Sequence, residues 1–363
     1  MKTFATMFSG GELFGIGAEQ AGYKHLWGIE YEDKIASVAR LNGFNVLTGS
    51  VLDATLLEGL PSPEHLHASP PCPNFSVAKT NNGETEHDIA LAQAVCNAIL
   101  THKPATFSLE NVRGYVKSES YKMILATLEG SGYMVDVQVL DAADFGVPQN
   151  RIRLFMRARK DGRVVGALPQ PVKWVGWYSA IEDLLGTLPE TEFAPWQMER
   201  LPQEYREFLI GQGSRSSPKE KDEPADTVTA NSNQTGMKAF VVNVKDPHGD
   251  TQRFTVPDSE APIYTILAGA TEARTKAFIV DGQPTNYGKT MTIRDGHEPM
   301  MTVQSSQDKK PLRAYATGRV VKMTVQALGR FQTVPDTYKG LTTKINGNGV
   351  PCLMARRIME SLI

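Results

Sequence analysis

Between Thr3 and Phe155 short apolar runs alternate with stretches of helical periodicity, a pattern that few folds accept. Thr3 to Phe8 predicts a buried strand, Ser9-Gly10-Gly11 a turn, and the recurrence of Leu13, Ile16, Ala18 and Ala21 a helix running up to Gly22. Strand His25 to Ile29, helix Lys34 to Asn42, strand Asn45 to Thr48 and strand Leu66 to Ala68 follow. A helix carrying Ile89, Ala92, Val95 and Ile99 comes next, then strand Thr106 to Leu109, helix Tyr121 to Glu129 and strand Met134 to Leu140. Strands separated by helices predict a mostly parallel sheet with helices on both faces, a doubly wound α/β fold. Ligands of such sheets bind at the carboxyl ends of the strands, and Gly10, Glu30, Val51 and Cys72 all fall there.

Each of these positions has a chemical and a bland reading. A glycine turn between strand and helix lets a ligand approach the backbone at a helix N-terminus, although a Gly-Gly pair alone says little. Glu30 lies roughly twenty residues after that turn, where an acid accepts hydrogen bonds from ribose hydroxyls; a solvated carboxylate is the alternative. In Ser69-Pro70-Pro71-Cys72-Pro73 the prolines fix the backbone around a thiol, which suits a nucleophile and equally suits a small buried hydrophobe. Glu110, in Glu110-Asn111-Val112, ends a strand beside Cys72, where it supplies or holds a proton or simply favours a helix N-terminus. The polar stretch Lys79 to His87 reads as a lid or a surface loop. Alternation through Gln149-Asn150-Arg151-Ile152-Arg153-Leu154-Phe155 predicts Gln149, Arg151 and Arg153 on one face and Ile152 and Leu154 on the other. With Arg157 and Arg159 following, that face suits phosphate or base edges, or is a charged exposed strand.

Composition narrows the classes. Hydrophobic residues make up 41 % and charged residues 21 %, as in a globular protein, and no apolar run reaches bilayer length. Three cysteines without metal-ligand spacing argue against a disulfide framework and a zinc site. Met1-Lys2-Thr3-Phe4 runs straight into the first strand rather than into a signal-peptide pattern, and the sparse, unpaired cysteine usage leads to the expectation of a reducing, intracellular setting. The formal net charge of −2 carries no basic surplus pointing to nucleic acid.

As an ordered set, Phe8-Ser9-Gly10, Glu30, Pro70-Pro71-Cys72-Pro73, Glu110-Asn111-Val112 and Gln149-x-Arg151-x-Arg153 resemble the blocks of the cytosine-C5 DNA methyltransferase family. Arg319 to Pro335 and Gly347-Asn348-Gly349-Val350-Pro351 resemble its last two blocks. The resemblance implies a Rossmann-like methyltransferase sheet and S-adenosylmethionine as cofactor, held by Phe8, Gly10, Glu30, Tyr31, Val51, Asn348 and Val350. It implies that Cys72 adds to cytosine C6, that Glu110 holds N3 and the amino group, and that Arg151 and Arg153 contact a base flipped out of duplex DNA and its phosphates. A cytoplasmic, monomeric, metal-free enzyme of a bacterium or its phage is then expected, of the kind found in restriction–modification. An RNA methyltransferase acting on tRNA and a catalytically silent DNA-binding relative are the rival readings. Departures from the family pattern are Glu12 and Leu13 in the glycine turn, Ser50 where an aspartate is usual, and Gln326-Ala327 for an Arg-Glu pair.

Between about Gly166 and Gly318 the alternation stops and an internal repeat appears. Pro224-x-x-Thr227-Val228-x-Ala230, Pro262-x-x-Thr265-Ile266-x-Ala268 and Pro299-x-x-Thr302-Val303-x-Ser305 are each followed at one offset by Lys238-Ala239-Phe240, Lys276-Ala277-Phe278 or Arg313-Ala314-Tyr315. Each copy reads as two short strands joined by a polar loop. The expected organisation is a catalytic domain in two pieces, 1–165 and 319–363, around an inserted β-rich target-recognition domain, 166–318. Its loops Asn231 to Gly236, Gly269 to Arg274 and Ser306 to Lys310 are expected to face DNA, with Lys238, Lys276 and Arg313 read alternatively as plain strand-end charges.

Overall fold

The computed structural model describes residues 2–71, 83–189, 222–225 and 319–363, together with short strands between 208 and 314. Cys72, the first part of the polar stretch after it, Lys79 to Asn82, and the three repeat loops lie outside the described residues. The chain divides into two compact units, one of Met1–Ala180, Asp222–Thr235 and Val325–Ile363, the other of Ile181–Lys221 and Gly236–Thr324.

The first unit is built on β1 (Thr3–Met7), β2 (Lys24–Glu30), β3 (Val46–Thr48), β4 (His65–Ala68), β5 (Thr106–Asn111), β6 (Met134–Asp141) and β7 (Ile152–Arg159), in the spatial order β3-β2-β1-β4-β5-β7-β6. The pairings from β3 to β5 are parallel, whereas β7 runs antiparallel between β5 and β6. That reversal brings the start of β7 to the carboxyl end of β5, with Asn111 opposite Leu154 and Glu110 opposite Phe155.

The helices are α1 (Leu13–Gln20), α2 (Asp33–Leu41), α3 (Ala54–Glu58), α4 (Glu86–His102), α5 (Glu119–Gly130), α6 (Trp177–Ile181), α7 (Val325–Phe331), α8 (Thr343–Asn348) and α9 (Cys352–Glu360). Thr85 and Asp88 start α4 with a reciprocal capping box, and Lys103 stops it in a left-handed conformation at φ 47°. Because strand side chains alternate, the two faces of the sheet carry different cores. Met7, Ile29, Leu66, Leu109 and Met156 pack with Leu91, Val95, Ile124 and Leu128 of α4 and α5. On the other face Phe4 and Phe155 pack with Phe14 of α1 and with Met354, Ala355 and Ile358 of α9. Gly17 lets α1 approach α9 closely, since a Cβ there would meet the Cys352 carbonyl and Ala355.

The first unit runs past the expected boundary at 165 because residues 166–180 bond back to it. Arg157 donates to the Gly166 carbonyl at 2.8 Å, the Val172 amide to the Asp144 carbonyl at 2.8 Å and the Trp174 indole to Asp144 at 2.9 Å. The segment 222–225 returns as well: the Asn150 amide donates to the Ala225 carbonyl at 2.9 Å and the Ala225 amide to the Pro148 carbonyl at 3.0 Å.

The second unit contains two small sheets among its described residues. One orders β14 (Arg319–Lys322), β10 (Lys238–Val241), β8 (Phe208–Ile210) and β9 (Lys219–Glu220); the other orders β12 (Ile293–Arg294), β11 (Ile279–Val280) and β13 (Arg313–Ala314). Lys238-Ala239-Phe240 of the first repeat copy and Arg313-Ala314 of the third are strand, while Lys276-Ala277-Phe278 of the second immediately precedes β11. No helix among the described residues is long and apolar enough to cross a membrane.

Candidate active site

The turn after β1 has left-handed backbone at Phe8 (φ 58°), Gly10 (φ 55°) and Glu12 (φ 59°). Such a run of positive φ is costly for residues bearing a Cβ and is held by surrounding contacts. The Gly10 amide donates to Glu30 Oε2 at 2.9 Å and the Glu32 amide to Glu30 Oε1 at 2.9 Å. The Tyr338 hydroxyl donates to the Gly11 carbonyl at 2.6 Å. Ile345 of α8 lies so near Gly11 that a Cβ would collide with it.

Glu12 explains its own departure from a glycine. Its carboxylate is fully buried, accepting from the Thr6 hydroxyl and lying 3.2 Å from His25 Nε2. The Asn45 amide donates to His25 Nδ1 at 3.3 Å, so Nε2 carries the hydrogen given to Glu12. A Cβ on Gly15 would fall 2.5 Å from Glu12 Oε2, and one on Gly28 would clash with Oε1; the glycines leave room for this acid. Glu12 thus ties the turn to β1 and β2 from beneath.

The cofactor implied by the family meets a compatible surface here. Among the described residues nothing lies within 4 Å of where a Gly10 Cβ would stand and the buried Ser9 hydroxyl has no hydrogen-bond partner, and Tyr31 beside Glu30 is 77 % exposed. Burial raises the Glu30 carboxyl above the ordinary glutamate value of 4.5, an effect opposed by the Glu32 and Gly10 amides. Val51 is buried, Asn348 is exposed, and Val350 is buried in the core shared by α1 and α9.

At the next strand ends, β4 leads into Ser69-Pro70-Pro71, and the Asn111 side-chain amide donates to the Pro70 carbonyl at 3.1 Å. Glu110, 6 % exposed, is ion-paired with Arg153 Nε at 3.1 Å. After the proline segment, Glu84 caps α5 by accepting from the Glu119 and Ser120 amides at 2.7 and 2.9 Å. Both flanks of the Cys72 segment are therefore tied to the β5–α5 region.

The arginines here do not form a charged exposed strand. Gln149 and Arg151 precede β7 and are 0 and 3 % exposed, whereas Ile152 is 50 % exposed. Arg151 reaches the Gly347 carbonyl at 3.1 Å, while its amide donates to Asp141 at 2.8 Å. Arg157 and Arg159 are also buried: Arg157 binds Asp136 at 2.5 Å and Ser361 at 2.6 Å, and Arg159 makes a two-pronged contact with Asp161. Gly166 and Ser361, just past α9, meet Arg157, and Asp161 meets Arg159, so these guanidiniums act as internal ties. Arg153 alone of the four meets Glu110 at a strand end.

Sequence reasoning passed over Tyr338 and the side chains of His65, His67 and Ser108. Tyr338 sits just past the penultimate block. The histidines left a signal, since His65-Leu66-His67-Ala68 alternates polar and apolar in a strand buried on both faces.

The comparisons agree with this layout. The chain is similar over 162 residues to the Type II methyltransferase M.Bsp6I of Bacillus sp. (strain RFL6), at 34 % identity, covering 43 % of the chain and 51 % of that relative. It thus spans about half the length of the first curated relatives it matches. The Type II methyltransferase M1.HphI of Haemophilus parahaemolyticus is 26 % identical over 99 % of the chain and 86 % of its own length. The crystal structure of a Spodoptera frugiperda DNMT2 mutant shares the fold with a TM-score of 0.60 at 12 % identity, covering 100 % of this chain and 99 % of that one. The mixed sheet with helices on both faces is accordingly the Rossmann-like fold of C5 methyltransferases. The family model for C-5 cytosine-specific DNA methylases matches residues 2–363, and the chain belongs to that family.

Proposed function

We propose that the protein transfers a methyl group from S-adenosylmethionine to C5 of a cytosine flipped out of duplex DNA. The observation that carries this reading is the Arg153–Glu110 pair at 3.1 Å, at the strand end where Asn111 holds Pro70, two residues before Cys72. A cytosine needs that set. C5 is a poor nucleophile until a thiolate adds to C6 and makes the ring an enamine, and the charge developing at N3 and O2 needs a donor or proton beside it.

Cys72 is assigned the attack on C6, and Glu110 the hold on N3 and the exocyclic amino group. Arg153 fixes the Glu110 carboxylate and contacts the base; Arg151 supports the site through the Gly347 carbonyl. Loss of the C5 proton to a base then lets the Cys72–C6 bond break. S-adenosylmethionine, when bound, supplies the electrophilic methyl group. Phe8, Gly10, Glu30, Tyr31 and Val51 are assigned to hold it from one side, Asn348 and Val350 from the other, with Glu30 accepting from the ribose hydroxyls.

The second compact unit, which holds the second and third repeats and Lys238-Ala239-Phe240 of the first, is assigned target recognition, the strands displaying the polar loops to DNA. Relatives named Type II methyltransferases support a role in restriction–modification in the cytoplasm of a bacterium or its phage-infected host. Incorporation of tritiated methyl groups from S-adenosylmethionine is the test, with duplex DNA and tRNA offered side by side. Labelled 5-methylcytosine in DNA is expected. Label in tRNA alone transfers the reading to RNA, and label in neither with DNA binding retained leaves a silent binder.

A further inference from the structure

Four buried side chains on β4 and β5, with the half-buried Ser69 just after β4, form one hydrogen-bonded chain that ends at the lead-in to Cys72. Thr106 Oγ1 meets His65 Nδ1 at 2.9 Å, His65 Nε2 meets Ser108 Oγ at 3.0 Å, Ser108 Oγ meets His67 Nδ1 at 2.8 Å, and His67 Nε2 meets Ser69 Oγ at 2.8 Å. His65, His67 and Ser108 are at most 2 % exposed. The His67 ring also stacks on Phe14 of α1, with centroids 3.5 Å apart and planes 4° from parallel.

Aliphatic side chains would fill a doubly buried strand without the cost of desolvating two imidazoles. What the polar chain adds is direction at its end. Pro70 and Pro71 have no amide hydrogen, so the start of the loop cannot be tied down by its own donors. Among the described residues its ties are the Ser69 amide to the Met7 carbonyl at 3.4 Å, Asn111 to Pro70 at 3.1 Å, and the 2.8 Å contact of His67 with Ser69. We propose that His67 is a positioning residue, aiming the Ser69–Pro71 lead-in to Cys72 through Ser69 and linking it through Phe14 to the helix that follows the cofactor turn.

Proton counting makes the chain testable by itself. Burial pushes His65 down to about 3 and His67 well below the usual histidine range, so both rings are neutral. Ser108 has one hydrogen, so it donates to one ring and accepts from the other. Both rings must then carry their hydrogen on the same nitrogen, both Nε2 or both Nδ1.

The inference rests on the methyltransferase reading, and two measurements separate their fates. Imidazole 15N spectra of the full chain are expected to show His65 and His67 neutral and in the same tautomer from pH 5 to 8; opposite tautomers or a protonated ring would overturn the chain whatever the activity. In single-turnover methylation of duplex DNA, Ser69→Ala and His67→Phe, which keeps a ring on Phe14, are expected to slow transfer about tenfold or more, with cofactor Kd within about twofold. The double variant should be no slower than the slower single one. His67→Gln, whose amide offers both a donor and an acceptor for Ser69, should recover much of the rate, and Thr106→Val, which breaks only the far end, should stay within about twofold. Ser69→Ala transferring at the unaltered rate would overturn the positioning role and leave the methyltransferase reading standing. Absence of transfer by the unaltered chain would remove both.

Discussion

Replacing Glu30 by Gln should separate the cofactor's needs from those of the fold. The carboxylate already accepts the Gly10 and Glu32 amides, one on each oxygen at 2.9 Å, and each oxygen keeps lone-pair capacity for a ribose hydroxyl. A glutamine must turn its NH2 toward one of those amides, losing one backbone bond and one acceptor for ribose, with the charge gone from the other. Hydrogen bonds to charged groups contribute about 1.5–3 kcal/mol each, so a loss of about 2–4 kcal/mol is expected, a weakening of roughly 30- to 1000-fold in Kd. Isothermal titration with S-adenosylmethionine measures it.

The pH dependence has opposite signs for the ligand and for the fold. Burial raises the Glu30 carboxyl, so the free protein favours its protonated form more than the unfolded chain does. That contribution to stability is fully present below the ordinary value of 4.5 and is lost as pH rises through the folded value. Cofactor binding needs the ionised form, so affinity should fall as pH drops through the same window, with a proton released on binding. Glu30→Gln should flatten that acid limb. Equal Kd for the variant and the unaltered protein, or an acid limb retained in the variant, would refute the assignment of Glu30 to the ribose.

Other contacts yield sharper local expectations. Asn111→Ala removes the donor to the Pro70 carbonyl and should lower single-turnover methylation while leaving cofactor Kd unchanged; a shift confined to Kd would contradict that placement. Tyr338→Phe deletes one hydrogen bond to the Gly11 carbonyl, about 0.5–1.5 kcal/mol, and should weaken cofactor binding by about 2- to 13-fold in the same titration. Arg157→Met strips the donors from the Gly166 carbonyl and Ser361 and removes the ion-pair partner of Asp136; chemical denaturation should show a loss of about 2–4 kcal/mol.

What could be read in advance follows from what side-chain patterns encode. The strand–helix alternation was legible because strands buried on both faces are nearly all apolar and their crossover helices carry a 3.6-residue period, so Gly10, Glu30 and Glu110 fell at strand ends. Strand direction leaves no such trace. Nothing in Ile152 to Arg159 distinguishes an antiparallel strand slotted between β5 and β6 from a parallel one at the edge, and the partners that make Arg157 and Arg159 internal ties, Gly166, Ser361 and Asp161, lie outside the strand. Glu12 looked like a defect in a glycine turn because its partners, Thr6 and His25, lie on different strands, and only the fold assembles them. Pairings across many residues, such as Arg151 with Gly347, have no local signature.

The most direct measurement uses duplex DNA containing 5-fluorocytosine, whose C5 substituent cannot leave as a proton, so a thiol added at C6 stays attached. Incubated with S-adenosylmethionine, the unaltered protein should form a denaturation-resistant complex that mass spectrometry of the peptides assigns to Cys72, and Cys72→Ser should form none. A complex attached through Cys96 or Cys352, or methylation of ordinary cytosine by the Cys72→Ser protein at the unaltered rate, would contradict the proposed chemistry.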